Sequence, residues 1–213
     1  MKKLLSVIFC LFCIFSFKPA WPETGTRIMV LGDSLSAGYG LPPGTGWVDL
    51  LEQRLQSRSP DDSVINISIS GEITLGGRNR IEQALKDHVP DIVIVALGAN
   101  DGLQGRSIPS IYENLEAIIL ICKRYNATPL LVGMQLPPNY GISYTQKFRD
   151  IYPHLAQNQQ LQLVPFLMAG FGDRPEFFQA DGIHPAIRAQ EKILDNIWPA
   201  LTEVLKSGGT RHQ

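Results

Sequence analysis

Five runs of aliphatic and β-branched residues recur along the chain, at Ile28 to Leu31, Val64 to Ile69, Ile92 to Leu97, Leu130 to Leu136 and Leu161 to Phe166. Their near-continuous hydrophobicity suits strands covered on both faces, as in a parallel sheet. Amphipathic stretches lie between them, with helices expected at Trp47 to Leu55, Leu75 to Lys86, Ile111 to Tyr125 and Tyr144 to Gln157. The predicted fold class is α/β. Ser110-Ile111-Tyr112-Glu113 reads as a capping box at one helix start. A last helix is expected to open at Pro185, with an apolar stripe through Ile193, Leu194, Ile197, Trp198, Leu201 and Leu205. Pro199 should kink or split it, because proline removes an intrahelical bond.

With 213 residues, 44% of them hydrophobic, and a formal charge of −1, the chain suits one globular domain, placed at residues 26–206. There is no basic surplus to argue for nucleic acid. The first residues differ in kind. Lys2 and Lys3 precede the apolar run Leu4 to Phe17, which has the length of a secretory h-region and is short for a membrane span. Residues 1–20 therefore read as an export leader. Lys18-Pro19-Ala20 is a poor cleavage site, so an uncleaved leader would anchor the domain at a membrane. Cys10 and Cys13 fall in that leader, which leaves Cys122 as a buried structural thiol and no disulfide framework. Residues 207–213 read as a disordered tail.

The chemistry sits where the strands end. Ser34 follows the first strand, Gly71 the second and Asn100 the third, at the edge where parallel α/β sheets bind ligands. Ser34, in Gly32-Asp33-Ser34-Leu35-Ser36, suits either a nucleophile or a plain helix cap. Of the four histidines, only His184 has a carboxylate three residues before it in a turn. From there Asp181 can hold Nδ1–H and leave Nε2 to face a serine. Gly71 N–H, Ser34 N–H and the Asn100 side chain are candidate donors to a developing oxyanion, although a turn glycine and a loop asparagine would look the same. No G-x-S-x-G occurs, since Ser36 lies two residues after Ser34, which argues against an ordinary α/β-hydrolase elbow.

The set of blocks Gly32 to Ser36, Gly71, Gly98-Ala99-Asn100-Asp101 and Asp181-Gly182-Ile183-His184-Pro185 resembles the SGNH (GDSL) hydrolase family, in family order. Gly32 to Gly38, Ser68 to Gly71, Leu136 to Gly141 and Ile151-Tyr152-Pro153 are similar to its exported bacterial thioesterases, lysophospholipases and arylesterases. That resemblance implies a three-layer α/β/α sandwich of flavodoxin type and no cofactor. It further implies Ser34 as nucleophile, His184 as base and then acid, Asp181 as orienter, and Ser34, Gly71 and Asn100 as the oxyanion hole. The implied substrates are acyl esters, thioesters or lysophospholipids.

Leu75, Leu103, Leu136, Pro137, Pro138 and Tyr140 lie after strands and would line an apolar acyl groove, or simply pack. Three rivals remain at this stage. A carbohydrate O-acetyl esterase would use the same machinery with a smaller pocket. A flavodoxin-like binding protein lacks a phosphate loop, because Gly38 to Gly44 does not fit G-x-G-x-x-G. A metallohydrolase would need Asp33, Asp101, Asp181 and His184 to converge, with only one histidine among them.

Overall fold

The structure is a computed structural model and describes residues 25–208. The expected leader and residues 209–213 of the expected tail lie outside the described residues. No helix among the described residues is long and apolar enough to cross a membrane.

Strands β1 (Arg27–Gly32), β2 (Ser63–Asn66), β3 (Ile92–Ala96), β4 (Thr128–Val132) and β5 (Gln162–Val164) form one sheet in the order β2-β1-β3-β4-β5. All four pairings are parallel, with Ile28 opposite both Val64 and Ile92. Every residue of β3 is buried, which accounts for the unbroken apolar run in the sequence.

Among the described residues six α-helices connect the strands, α1 (Ser34–Ala37), α2 (Trp47–Gln56), α3 (Thr74–His88), α4 (Ala99–Leu103), α5 (Ile108–Arg124) and α6 (Ile142–Gln159), and α7 (Ile187–Gly208) follows the last strand. On one face α2 packs against α7; on the other α5 packs against α3 and α6. This is the three-layer α/β/α sandwich. Both layers meet the sheet through fully buried side chains, among them Trp47 and Ile197 on one side and Ile81, Ile118 and Phe148 on the other. The strand order reverses between β1 and β3, and such a switch point opens a crevice at the carboxyl edge.

The element ends depart from the sequence expectations for local reasons. Helix α5 begins at Ile108, not at the expected capping box. Ser107 is its cap, its Oγ accepting the Ser110 N–H at 3.4 Å, and Pro109 preorganises the first turn. Helix α7 begins at Ile187 because Pro185 is still held in an antiparallel bridge with Phe178. Its far end takes in Ser207 and Gly208, the first two residues of the expected tail. Strand β2 ends at Asn66, although Ile67 and Ile69 go on donating to Val30 and Gly32 of β1. Strand β4 ends at Val132, before Gly133, and β5 at Val164, directly before Pro165.

Pro199 neither splits nor ends α7, which runs through it. The proline ring is exposed, so it meets solvent rather than a packed neighbour. Restoring an N–H there with Pro199→Ala should raise stability by about 1–2 kcal/mol, the helix gain being offset in part by a looser unfolded chain. Urea unfolding of the two proteins checks this, and a destabilised variant would show that the ring itself contributes to packing.

Candidate active site

The short helix α1 follows β1 without a loop. Asp33 caps it, its Oδ1 accepting the Leu35 N–H at 3.0 Å, and this sets Ser34 at the first helical position above the sheet. Helix α4 follows β3 in the same way after Gly98, whose φ of +113° needs a glycine; a side chain there would also run into the Tyr152 hydroxyl. That turn delivers Asn100 beside Asp33. The Asn100 Nδ2 donates to Asp33 Oδ2 at 3.2 Å and to the Glu72 carbonyl at 3.0 Å.

Asp101 does not face the serine. It is buried and turned the other way, its Oδ2 accepting the Thr74 N–H at 2.8 Å and its Oδ1 the Thr74 hydroxyl at 2.7 Å. Asn114 donates to the same hydroxyl at 3.2 Å. Helix α3 has Ile73 at its cap position and so cannot cap itself; Asp101 does this from another helix. The bond ties α4, which bears Asn100, to the segment that bears Gly71. Gly71 itself is exposed with φ +81°, and neither its N–H nor that of Ser34 donates to another atom of the described residues.

The third contribution comes from a hairpin between β5 and α7. Gln179 N–H donates to the His184 carbonyl at 2.8 Å, and Gly182 N–H to the Gln179 carbonyl at 2.9 Å. Inside this turn the Asp181 Oδ1 accepts the Ile183 and His184 N–H groups at 2.9 and 3.0 Å. The other oxygen, Oδ2, meets His184 Nδ1 at 2.7 Å. His184 Nε2 lies 2.9 Å from the Ser34 hydroxyl. The structure thus joins Ser34, His184 and Asp181 in one hydrogen-bonded chain, with Asn100 reached through Asp33.

The two carboxylates of the site are tuned in opposite directions. The His184 backbone N–H, then the imidazole, then the Ile183 N–H hold Asp181 down at about 2. It is therefore ionised across the working range and suited to keep the proton on Nδ1. Burial pushes Asp33 up to about 6, against a smaller opposing pull from the Leu35 N–H and His184. Burial likewise pushes the Cys122 thiol up to about 12, as an inert core residue.

Of the six groove candidates, Leu75 is 43% exposed on α3, Leu103 closes α4, and Pro138 and Tyr140 bound a single 3-10 turn that follows Pro137. The Leu136 methyl groups pack against Gly102, 2.6 and 2.8 Å from where a Cβ would stand. None of the six lines either of two surface cavities of about 540 and 460 Å³. Among the described residues, no three histidine, cysteine, aspartate or glutamate side chains are grouped to hold a metal ion. Asp33 and Asp101 hold Asn100 and Thr74. Ile73 at a helix start, with no side-chain oxygen to cap it, was the signal for an outside partner such as Asp101.

Asp33 carries a stability prediction with an unusual sign. Its acidity is about 6 in the fold against an ordinary 3.8, so between those values the folded state holds the extra proton and stability falls as pH rises. The penalty is absent below pH 3.8, complete above about 6, and at most roughly 3 kcal/mol. Unfolding free energies of Asp33→Asn and the parent should therefore diverge in the variant's favour between pH 4 and pH 7.5. A difference that stays flat over that range would show that Asp33 ionises without cost.

Residues 30–192 match the GDSL-like lipase/acylhydrolase family. The chain is 40% identical to esterase TesA of Pseudomonas aeruginosa over 92% of its own length and 96% of that protein's. It is also 40% identical to an arylesterase of Vibrio mimicus, covering 96% of this chain and all of the other. A thioesterase 1/protease 1/lysophospholipase L1 of Escherichia coli is 40% identical over 88% of this chain and 87% of that one. A crystal structure of TesA superposes with a TM-score of 0.81 at 41% identity, covering 84% of this chain and 99% of that one. The chain belongs to the GDSL-like lipase/acylhydrolase family.

Proposed function

We propose that this chain is a serine esterase and thioesterase that cleaves carboxylic esters or thioesters of acyl chains through an acyl-serine. The observation that carries the reading is the pair of contacts from Ser34 Oγ to His184 Nε2 at 2.9 Å and from His184 Nδ1 to Asp181 Oδ2 at 2.7 Å. Ser34 is the nucleophile. His184 Nε2 takes the hydroxyl proton as Oγ attacks the carbonyl carbon, and Asp181 stabilises the imidazolium without itself being protonated. The carbonyl oxygen becomes an oxyanion that receives the Ser34 N–H, the Gly71 N–H and the Asn100 amide. Asn100 shares for this purpose the hydrogen that now reaches Asp33 at the longer of its two contacts.

His184 then gives its proton to the departing alkoxide or thiolate, which leaves Ser34 acylated. A water deprotonated by His184 attacks the acyl-serine, and collapse of the second intermediate frees the carboxylic acid and returns the proton to Ser34. The relatives' names, esterase, arylesterase and thioesterase 1/protease 1/lysophospholipase L1, support esters and thioesters as the substrate class. Leu75, Leu103, Leu136, Pro137, Pro138 and Tyr140 are the groove for the acyl chain, and the exposure of Leu75 beside the Asn100 segment supports that role. The substrate is met outside the cytoplasm, a location that rests on the leader read from Lys2 to Phe17.

Hydrolysis of p-nitrophenyl esters from acetyl to palmitoyl tests the reading. Ser34→Ala should lower kcat by more than about 1,000-fold, and Asp181→Asn by about 1,000-fold to 10,000-fold, because the amide favours the wrong tautomer. KM should change little in either. Turnover confined to the acetyl ester would move the assignment to a deacetylase, and full activity in Ser34→Ala would remove the nucleophile.

A further inference from the structure

The hydrogen bonds inside the 177–186 hairpin hold Asp181 and His184 together, but they do not fix the distance to Ser34, which belongs to a remote part of the chain. Two glutamines cross that gap. Gln179 Nε2 donates to the Tyr39 carbonyl at 2.8 Å and to the Pro185 carbonyl at 3.3 Å. Gln190 is 2% exposed; its Nε2 donates to the Pro185 and Ala186 carbonyls at 3.1 and 3.4 Å, while its Oε1 accepts the Trp47 N–H at 3.0 Å. Both therefore grip the carbonyl that directly follows His184. Each also reaches the segment that follows Ser34, at Tyr39 just past α1 and at Trp47, the first residue of α2.

Packing does not set this separation unaided. The 460 Å³ cavity, lined in part by Gly40, Leu41, Gln179 and Ile187, opens along the same seam. Asp181, Gly182 and Ile183 at the hairpin tip are exposed. The aromatic contact is the exception: the Tyr39 ring lies against the imidazole with centroids 4.5 Å apart and planes tilted by 38°. Trp47, fully buried, is anchored a second time by its Nε1–H to the Leu35 carbonyl at 3.1 Å, so Gln190 pulls against a fixed point next to the Ser34 helix.

We infer that Gln179 and Gln190 are positioning residues that set the Ser34–His184 separation by holding the Pro185 carbonyl from two sides, with the Tyr39 ring as the stop for the imidazole. Misplacement of a catalytic group by about 1 Å costs on the order of 100-fold in rate, so losing either tie should appear in the chemical step and not in substrate affinity. The inference rests on the serine-esterase reading and deepens it.

The test uses the full chain with Gln179→Met, Gln190→Met, Tyr39→Ala and Tyr39→Phe, each assayed well below its own melting temperature. Gln190 is buried and its variant can lose stability, whereas Gln179 is only partly buried, so Gln179→Met keeps the test decisive. On p-nitrophenyl butyrate, kcat should fall about 10-fold to 100-fold in both glutamine variants, with KM within about 2-fold of the parent. Phosphonylation of Ser34 by a p-nitrophenyl phosphonate, which reports the activated hydroxyl without an acyl chain, should slow by the same factor. Tyr39→Phe keeps the ring and should recover what Tyr39→Ala loses. Unchanged kcat in Gln179→Met, or a loss carried wholly in KM, overturns the inference. Ser34→Ala in the same assay separates the two failures. If it stays active the esterase reading falls, whereas if it is inactive beside fully active glutamine variants only the positioning role falls.

Discussion

Gly32 lies opposite Ala96 in the parallel pairing of β1 with β3, so the two strands end level and pass their next residues to the same place above the sheet. The chain after β1 returns to β2 on one side, and the chain after β3 goes on to β4 on the other. Diverging connections leave a crevice that neither covers, and two short helices, α1 and α4, stand at its edges. A side chain from either reaches across without a long loop. The 3.2 Å contact between Asn100 and Asp33 is the direct result of that pairing.

What fixes the crevice is buried polar contact more than apolar packing. Asp33 and Asp101 are each 1% exposed, and a buried carboxylate is tolerated only where donors surround it. Asp33 has the Leu35 N–H and the Asn100 amide; Asp101 has both donors of Thr74. The two differ in consequence. Asp33 sits where its charge costs stability at neutral pH, beside Ser34 and Asn100, while Asp101 caps a fifteen-residue helix from outside. Networks of this kind give a rigid, unique arrangement when every member is satisfied, and each removed member leaves a partner stranded.

The Asp181–His184 pair is built on another plan. Asp181 and His184 are three residues apart on an exposed turn, and the turn closes on itself through Gln179, Gly182 and the Asp181 carboxylate. Such a unit keeps its internal geometry even as it moves. The burden of accuracy then falls on its attachment to the rest of the fold, where Gln190 and the Tyr39 ring stand.

The sequence by itself determined the class of fold, because near-continuous apolar runs separated by helix-length stretches suit strands covered on both faces, as β1, β3 and β4 are. It also pointed to Asp181 and His184 as partners, since a spacing of three residues in a turn is local chemistry, and the two meet at 2.7 Å. Helix starts were less legible: Ser107 and Ser110 both suit a cap, and the choice was made by Pro109. Pro199 pointed to a broken helix, yet its ring faces solvent and the apolar stripe holds α7 together on either side. Tertiary structure alone decided that Asp101 turns away from Ser34 to cap α3, and that two glutamines from the end of the chain clasp the segment after α1. Those contacts join residues up to 143 positions apart, and no local pattern encodes a hydrogen bond whose two ends meet only after the sheet has formed.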